Sequence, residues 1–157
     1  MAKKKQTNKP KTIQNRRARH DYAIDDSLLV GLQLTGAETK SLRHGHGQLR
    51  GAYVTIKDDE LWLINATISS MPGIPIPEVD QTRTRKLLAN RKEIDKLIAL
   101  KQQGQAVVPL EMLTGGRFIK LRIAAGRGKK HYDKRHALKE RDESRQMRAE
   151  IKQKVRT

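Results

Sequence analysis

The densest run of chemistry-bearing side chains lies near the C-terminus, in GKKHYDKR from Gly128 to Arg135. Lys129, Lys130, Lys134 and Arg135 surround Tyr132, which suits phosphate neutralisation with one ring free to stack on a base. The competing reading of Tyr132 is a tether that packs back onto the body of the protein. The run GRGKK resembles a phosphate loop, but the spacing G-x-x-x-x-G-K-[ST] is not met and Lys130 stands where a hydroxyl is needed. His44 and His46 would need a third metal ligand, and neither Cys nor a nearby carboxylate supplies one. His20-Asp21 lacks an activated serine in a G-x-S-x-G setting, and Asp58-Asp59-Glu60 reads as a turn. With no convergent acid, base, nucleophile and metal set, the sequence points away from catalysis and toward binding.

Charge says what would be bound. The chain carries 34 Lys+Arg against 17 Asp+Glu, a formal net charge of +17. The first twenty residues hold eight basic and no acidic side chains, and residues 127–157 hold twelve basic and five acidic. Residues 21–126 hold fourteen basic and twelve acidic, so the excess sits at the two ends of a nearly neutral centre. Such basic ends attract polyanions, nucleic acid first; a merely solvated tail is the alternative. A length of 157 residues argues for one domain with appendages and against a two-domain cofactor enzyme. The absence of Cys removes disulfides and thiolate sites, and no run of about 18 apolar residues is present to span a membrane. A soluble, cytoplasmic protein without cofactor or metal is expected.

The elements that must position these residues follow from periodicity. Residues 1–19 read as a mobile basic arm, with order starting near His20. Tyr22 and Ile24, then Leu28, Val30, Leu32 and Leu34, alternate as strand, with a turn at Asp25 to Ser27. Gly36 to Gly45 suits a short helix stopped by Gly45 or Gly47. Ala52 to Ile56 and Glu60 to Ile68 form a hairpin about the Lys57-Asp58-Asp59 turn, and the proline-rich stretch from Met71 to Asp80 is a loop. Arg83 to Gly104 reads as helix, with a break near Asn90 to Lys92 that would split it. Val107 to Leu113 and Phe118 to Ile123 are strands joined through Gly115-Gly116. The expected fold is mainly β with added helices (α+β), a small antiparallel barrel of about six strands with two to three helices spanning residues 20–126. Residues 127–157 form a basic tail in which Met147, Ile151 and Val155 recur every four residues, with Glu150 and Lys154 as an i,i+4 pair. That stripe is thin, so a frayed tail that becomes helical on a polyanion is expected.

Five motifs in order resemble one family: NRRARHDY (Asn15 to Tyr22), GLQLTGAETKSLRHG (Gly31 to Gly45), ELWL (Glu60 to Leu63), RTRKLLAN (Arg83 to Asn90) and GKKHYDKR. Together they resemble the bacterial SsrA-binding protein family, also called small protein B. The resemblance implies an oligonucleotide-binding-type β-barrel that binds the tRNA-like domain of transfer-messenger RNA. It also implies delivery to stalled ribosomes, with elongation factor Tu as a functional associate, by a monomer whose tail enters the vacant decoding centre and messenger channel. Carried over residue by residue, it assigns RNA contact to Glu38, Lys40, Arg85, Lys86, Leu88 and Asn90. It assigns contact with small-subunit rRNA to Lys129, Lys130, Tyr132, Asp133, Lys134, Arg135 and Ile151, with Gly128 as a hinge. One departure stands out: relatives carry Glu-Ala-Gly where this chain has Leu29-Val30-Gly31. Either a neighbouring acid such as Asp26 substitutes, or the contact is missing and the basic surface carries more of the affinity. A ribosomal or initiation-type barrel protein with basic extensions is the rival reading.

Overall fold

The computed structural model describes residues 12–156; of Lys154, Val155 and Arg156 only the backbone is described, so the Glu150–Lys154 pair and Val155 of the tail stripe lie outside the described side chains. The first eleven residues of the basic arm lie outside the described residues. The strands are β1 (Thr12–Gln14), β2 (Tyr22–Leu32), β3 (Gly47–Gln48), β4 (Tyr53–Lys57), β5 (Glu60–Ile64), β6 (Thr67–Ile68), β7 (Arg85–Leu88), β8 (Ala106–Leu113) and β9 (Lys120–Gly128). The helices are α1 (Arg16–Asp21), α2 (Gly36–Arg43), α3 (Glu78–Gln81), α4 (Arg91–Gln102) and α5 (His131–Arg156).

Six strands close a ring in the order β8-β4-β5-β7-β2-β9, with β9 returning to β8, and every pairing is antiparallel. Closure removes the open edges that short strands would otherwise expose. β1 adds to the outer edge of β8, and β3 and β6 form a separate two-stranded sheet. The ring's interior is filled by inward members of the alternating strands, among them Val30, Val54, Leu61, Leu63, Leu87, Leu121 and Ile123. Leu42 of α2 and Ile94 and Leu97 of α4 join the same core. A second, smaller core sits outside β8, where Ala18 of α1 packs on Val108, Leu110 and Ala124.

Several expectations are corrected. Ordered pairing is already present at Thr12, since β1 lies on β8 and Asn15 is buried, its backbone N–H reaching the Leu110 carbonyl at 2.7 Å. The amide of Asn15 donates to the Pro109 carbonyl at 3.0 Å while its oxygen caps α1 at the Ala18 N–H. His20 and Asp21 close the short helix α1 just before β2. The expected turn at Asp25 to Ser27 is a bulge inside one continuous strand, where the register shifts against β9. Arg85 to Leu88 is a strand and not the start of a helix, and α4 begins only at Arg91, with Glu93 accepting from the Asn90 N–H at 2.9 Å. Strand pairing continues through Arg127 and Gly128, opposite Ala23 and Tyr22, so the tail proper starts two residues later than composition suggests.

The tail itself is one 26-residue helix in the chain alone, where helix formation on contact was expected. Its length is well beyond the roughly 12–15 residues below which isolated helices are marginal, and Ala, Glu, Lys, Arg and Gln are good helix formers. It makes no extended packing with the barrel, and from Leu138 to Gln153 every side chain is exposed. No helix among the described residues is long and apolar enough to cross a membrane.

Candidate nucleic-acid interface

Strand registers assemble an outward face from β9, β2 and β7. Gly31 of β2 lies between Lys120 of β9 and Leu88 of β7. Two residues along β2, Leu29 faces Arg122, and beyond the end of β7 Asn90 caps α4. In the other direction Gln33 donates its N–H to the Lys86 carbonyl at 3.0 Å, and Phe118 is exposed in the bend two residues before Lys120 opens β9. Alternation is the reason these side chains share a face, since Leu121, Ile123, Arg85 and Leu87 take the inward positions.

The chemistry of this face is apolar at its centre and cationic at its margins. Leu29 and Leu88 are 41% and 53% exposed, unusual for leucines in a closed barrel with a filled interior. Gly31 keeps the surface low between them: a Cβ there would stand 3.1 Å from Cβ of Leu88, tighter than ordinary contact, so Leu88 would have to give by a few tenths of an ångström. Lys86 is ion-paired with Glu60, and Arg122 with Glu111 at 3.0 Å, while Lys120 is exposed with no ion pair among the described residues. Asp26, the acid considered as a substitute for the missing family Glu, sits on the β2 bulge 3.5 Å from Lys96 of α4. Position 29 is therefore apolar.

Beneath the face lies a buried ion cluster. Glu38 of α2 and Arg85 of β7 are 1% and 0% exposed. Glu38 Oε1 accepts from Arg83 Nε at 2.8 Å and Arg85 Nε at 3.0 Å, and Oε2 accepts from Arg83 Nη2 at 2.7 Å and the Thr35 N–H at 2.9 Å. The remaining Arg85 donors reach the carbonyls of Ala66, Arg83, Asp80 and Gln81 at 2.8 to 3.0 Å. All five guanidinium N–H directions are thus used inside the protein. Burial alone would raise the Glu38 pKa, but the Arg83 hydrogen bonds, the Thr35 N–H and Arg85 outweigh it and hold the carboxyl below its ordinary range. Burial lowers the Arg85 pKa, whereas the carboxylate of Glu38 raises that of Arg83. Glu38 and Arg85, assigned above to RNA contact, are corrected: they tie α2 and β7 together and present no surface. Lys86 and Leu88 point outward from β7, Asn90 is exposed as the N-cap of α4, and Lys40 is exposed on α2.

The tail residues form a second site. Gly128 ends β9, and the Lys129 N–H donates to the Asp21 carbonyl at 2.8 Å while its Nζ reaches the Arg19 carbonyl at 3.1 Å. Asp21 is the hub of this junction: its carboxylate meets His20 Nδ1 at 2.9 Å, Lys134 Nζ at 3.3 Å and Arg17 Nε at 3.5 Å. The His20 hydrogen bond chiefly, with Lys134 and Arg17, holds its pKa below the ordinary carboxylate range. Asp133 in the first turn of α5 complements the helix dipole. Tyr132 is 67% exposed, which excludes its packing back onto the barrel, and Lys130, Arg135 and Ile151 are also exposed. Sequence reasoning passed over Lys120 and Arg122 as site residues. Their signal was the alternation of β9, which marks them as the outward cations beside Leu29 and Gly31.

Comparison with known proteins fits this geometry. The family model described as SmpB protein matches residues 12–153. The chain is 41% identical to the SsrA-binding protein of Pseudomonas fluorescens over 156 residues, 98% of each. It is 45% identical to the SsrA-binding protein of Thermobifida fusca over 152 residues, covering 94% of this chain and 95% of the relative. A solved chain described as "tmRNA-SmpB: a journey to the center of the bacterial ribosome" superposes with a TM-score of 0.63 at 37% identity, over 76% of this chain and 85% of that one. The chain belongs to the SmpB family.

Proposed function

We propose that this protein works in trans-translation, binding transfer-messenger RNA and delivering it to stalled ribosomes. The observation that carries this reading is the pairing of a rigid outward face, apolar at Leu29 and Leu88 and edged by Lys86, Lys120 and Arg122, with a separate basic helix. A folded RNA read by shape and phosphate needs such a face more than it needs many stacking aromatics. On this reading Leu88, Asn90 and Lys86 meet the tRNA-like domain, with Lys40 adding charge from α2. Glu38 and Arg85 hold the strands beneath. With Leu29 in place of the family's Glu, the contact there is apolar, and affinity rests more on the cations around it.

The tail acts at a distance. At about 1.5 Å per residue, the 26 residues of α5 extend about 39 Å from the barrel, long enough to probe a channel. Asp133, Lys134 and Arg135 act at the vacant decoding centre, Tyr132 stacks on an rRNA base, and Ile151 anchors the helix farther along the messenger path, with the hinge moved from strand-paired Gly128 to Lys130, between β9 and α5. The work is binding and mimicry, with no bond made or broken by the protein. Elongation factor Tu joins as carrier of the aminoacylated RNA, and the protein acts as a cytoplasmic monomer.

The test is a titration at near-physiological salt against transfer-messenger RNA, elongator tRNA and random RNA. Transfer-messenger RNA binds at least about tenfold tighter than either competitor on this account. Equal affinity for all three would overturn it.

A further inference from the structure

Phe118 is the one phenylalanine in the chain, and it is 68% exposed. It sits in the bend that leads into β9, with Ile119 buried next to it, and β9 then sends Leu121 and Ile123 inward and Lys120 and Arg122 outward. Lys120 faces Gly31 and Arg122 faces Leu29, and Phe118 precedes these cations by two and four residues at the edge of the RNA face. The Arg117 guanidinium lies 5.3 Å from the ring centroid, within cation–π range, and covers one side of the ring. Arg43, at the end of α2, donates from Nη2 to the Arg117 carbonyl at 3.0 Å and fixes this turn to the helix that carries Lys40. No carboxylate lies in the stretch from Thr114 to Lys120. Nothing in the barrel needs this ring for its core, since the interior is filled without it.

We infer that Phe118, backed by Arg117 and pinned through Arg43, is a base-stacking platform that extends the RNA face beyond Leu29 and Leu88 to an unpaired nucleotide of the bound RNA. An aromatic face with a guanidinium behind it and cations alongside is the arrangement that holds an unstacked base while neighbouring phosphates are neutralised. The inference rests on the RNA-binding reading above and adds a specific contact to it. Phe118 supplies stacking, and Lys120 supplies charge.

The test uses the full-length protein, with transfer-messenger RNA and a random RNA as separate titrants. Phe118→Ala weakens binding of transfer-messenger RNA about 5- to 100-fold, the range expected for one lost base stack. Phe118→Trp retains wild-type affinity, and its fluorescence, corrected for Trp62 by the wild-type signal, is quenched as RNA is added. Phe118→Leu, apolar without a π-face, behaves like the alanine variant. The salt dependence of binding stays at the wild-type slope in Phe118→Ala, while Lys120→Ala lowers it by about 0.7 to 0.9. Wild-type affinity in Phe118→Ala, or an unquenched Phe118→Trp, overturns the stacking platform. Equal wild-type affinity for the two RNAs overturns the escort reading instead, so the two failures are distinguished by which comparison collapses.

Discussion

The barrel face and the tail helix carry charge of the same sign but are built on opposite principles. Behind the face, Glu38, Arg83 and Arg85 satisfy one another and four backbone carbonyls, so β7 and α2 have one arrangement. The tail is joined to the body through Asp21 and the backbone of Lys129, and from Leu138 to Gln153 its side chains are exposed. A face that discriminates one folded RNA needs its contacts held in fixed relative positions. A probe that enters a channel needs reach and charge, and rigid attachment would hinder it. Shared positive charge thus says little about shared function; the difference lies in what stands behind each cation.

The sharpest way to break this contrast is to remove what stands behind the face. Glu38→Ala leaves Arg85 buried without its carboxylate, and stability falls by about 3–5 kcal/mol. Thermal unfolding should show the loss, whereas Arg145→Ala on the exposed tail should leave the transition within about 0.5 kcal/mol of wild type. If both variants melt alike, the division into a rigid body and an appended helix is wrong.

The next effect is on recognition. Leu88→Asp adds a negative charge at the centre of the face and lowers affinity for transfer-messenger RNA about 10- to 100-fold, with the fold intact by circular dichroism. Ile151→Asp, on the tail, leaves that affinity within about twofold and instead lowers peptide tagging on stalled ribosomes. Equal loss of RNA affinity in the two variants would erase the proposed division.

Acid titration gives a smaller, graded effect. The folded-state pKa of Glu38 is depressed, so the unfolded chain binds the extra proton first as pH falls. The stabilisation is fully present above the ordinary carboxylate range and is lost as pH drops through the lower folded-state value. Denaturant midpoints measured from neutral pH downward should fall through that window. In Glu38→Gln the fall should be shallower, though from a lower starting stability. The smallest effect belongs to Asp21→Asn, which removes a partly exposed anchor worth no more than about 1 kcal/mol. Hydrogen exchange at the start of α5 should quicken a few-fold while RNA affinity stays unchanged.

Legibility in the sequence follows the same division. β4, β5, β8 and β9 were readable because apolar residues fill their inward positions, while the count of six matched only because β2, read as two strands about a turn, stood in for the missed β7. β7 was misread as helix because its inward positions are Arg85 and Leu87, and a buried arginine erases the apolar alternation that marks a strand. The cause is its partner Glu38, 47 residues away, which no local pattern reveals. For the same reason motif matching placed Glu38 and Arg85 on the RNA surface, when their conspicuous spacing serves the fold beneath it. α1 was missed because one residue, Ala18, is its whole buried side. The tail's charge and motif were plain in the sequence, and Tyr132 is exposed.

The central claim is that RNA recognition and ribosome probing reside in separate parts of one chain. Truncation after Lys130 preserves all of β9 and its pairing with β2 while removing α5. Measured side by side with the full chain, the truncated protein should bind transfer-messenger RNA within about threefold of wild type, equivalent to about 0.7 kcal/mol, yet support no peptide tagging on stalled ribosomes. Tagging that survives the truncation, or RNA affinity that collapses with it, would contradict the account.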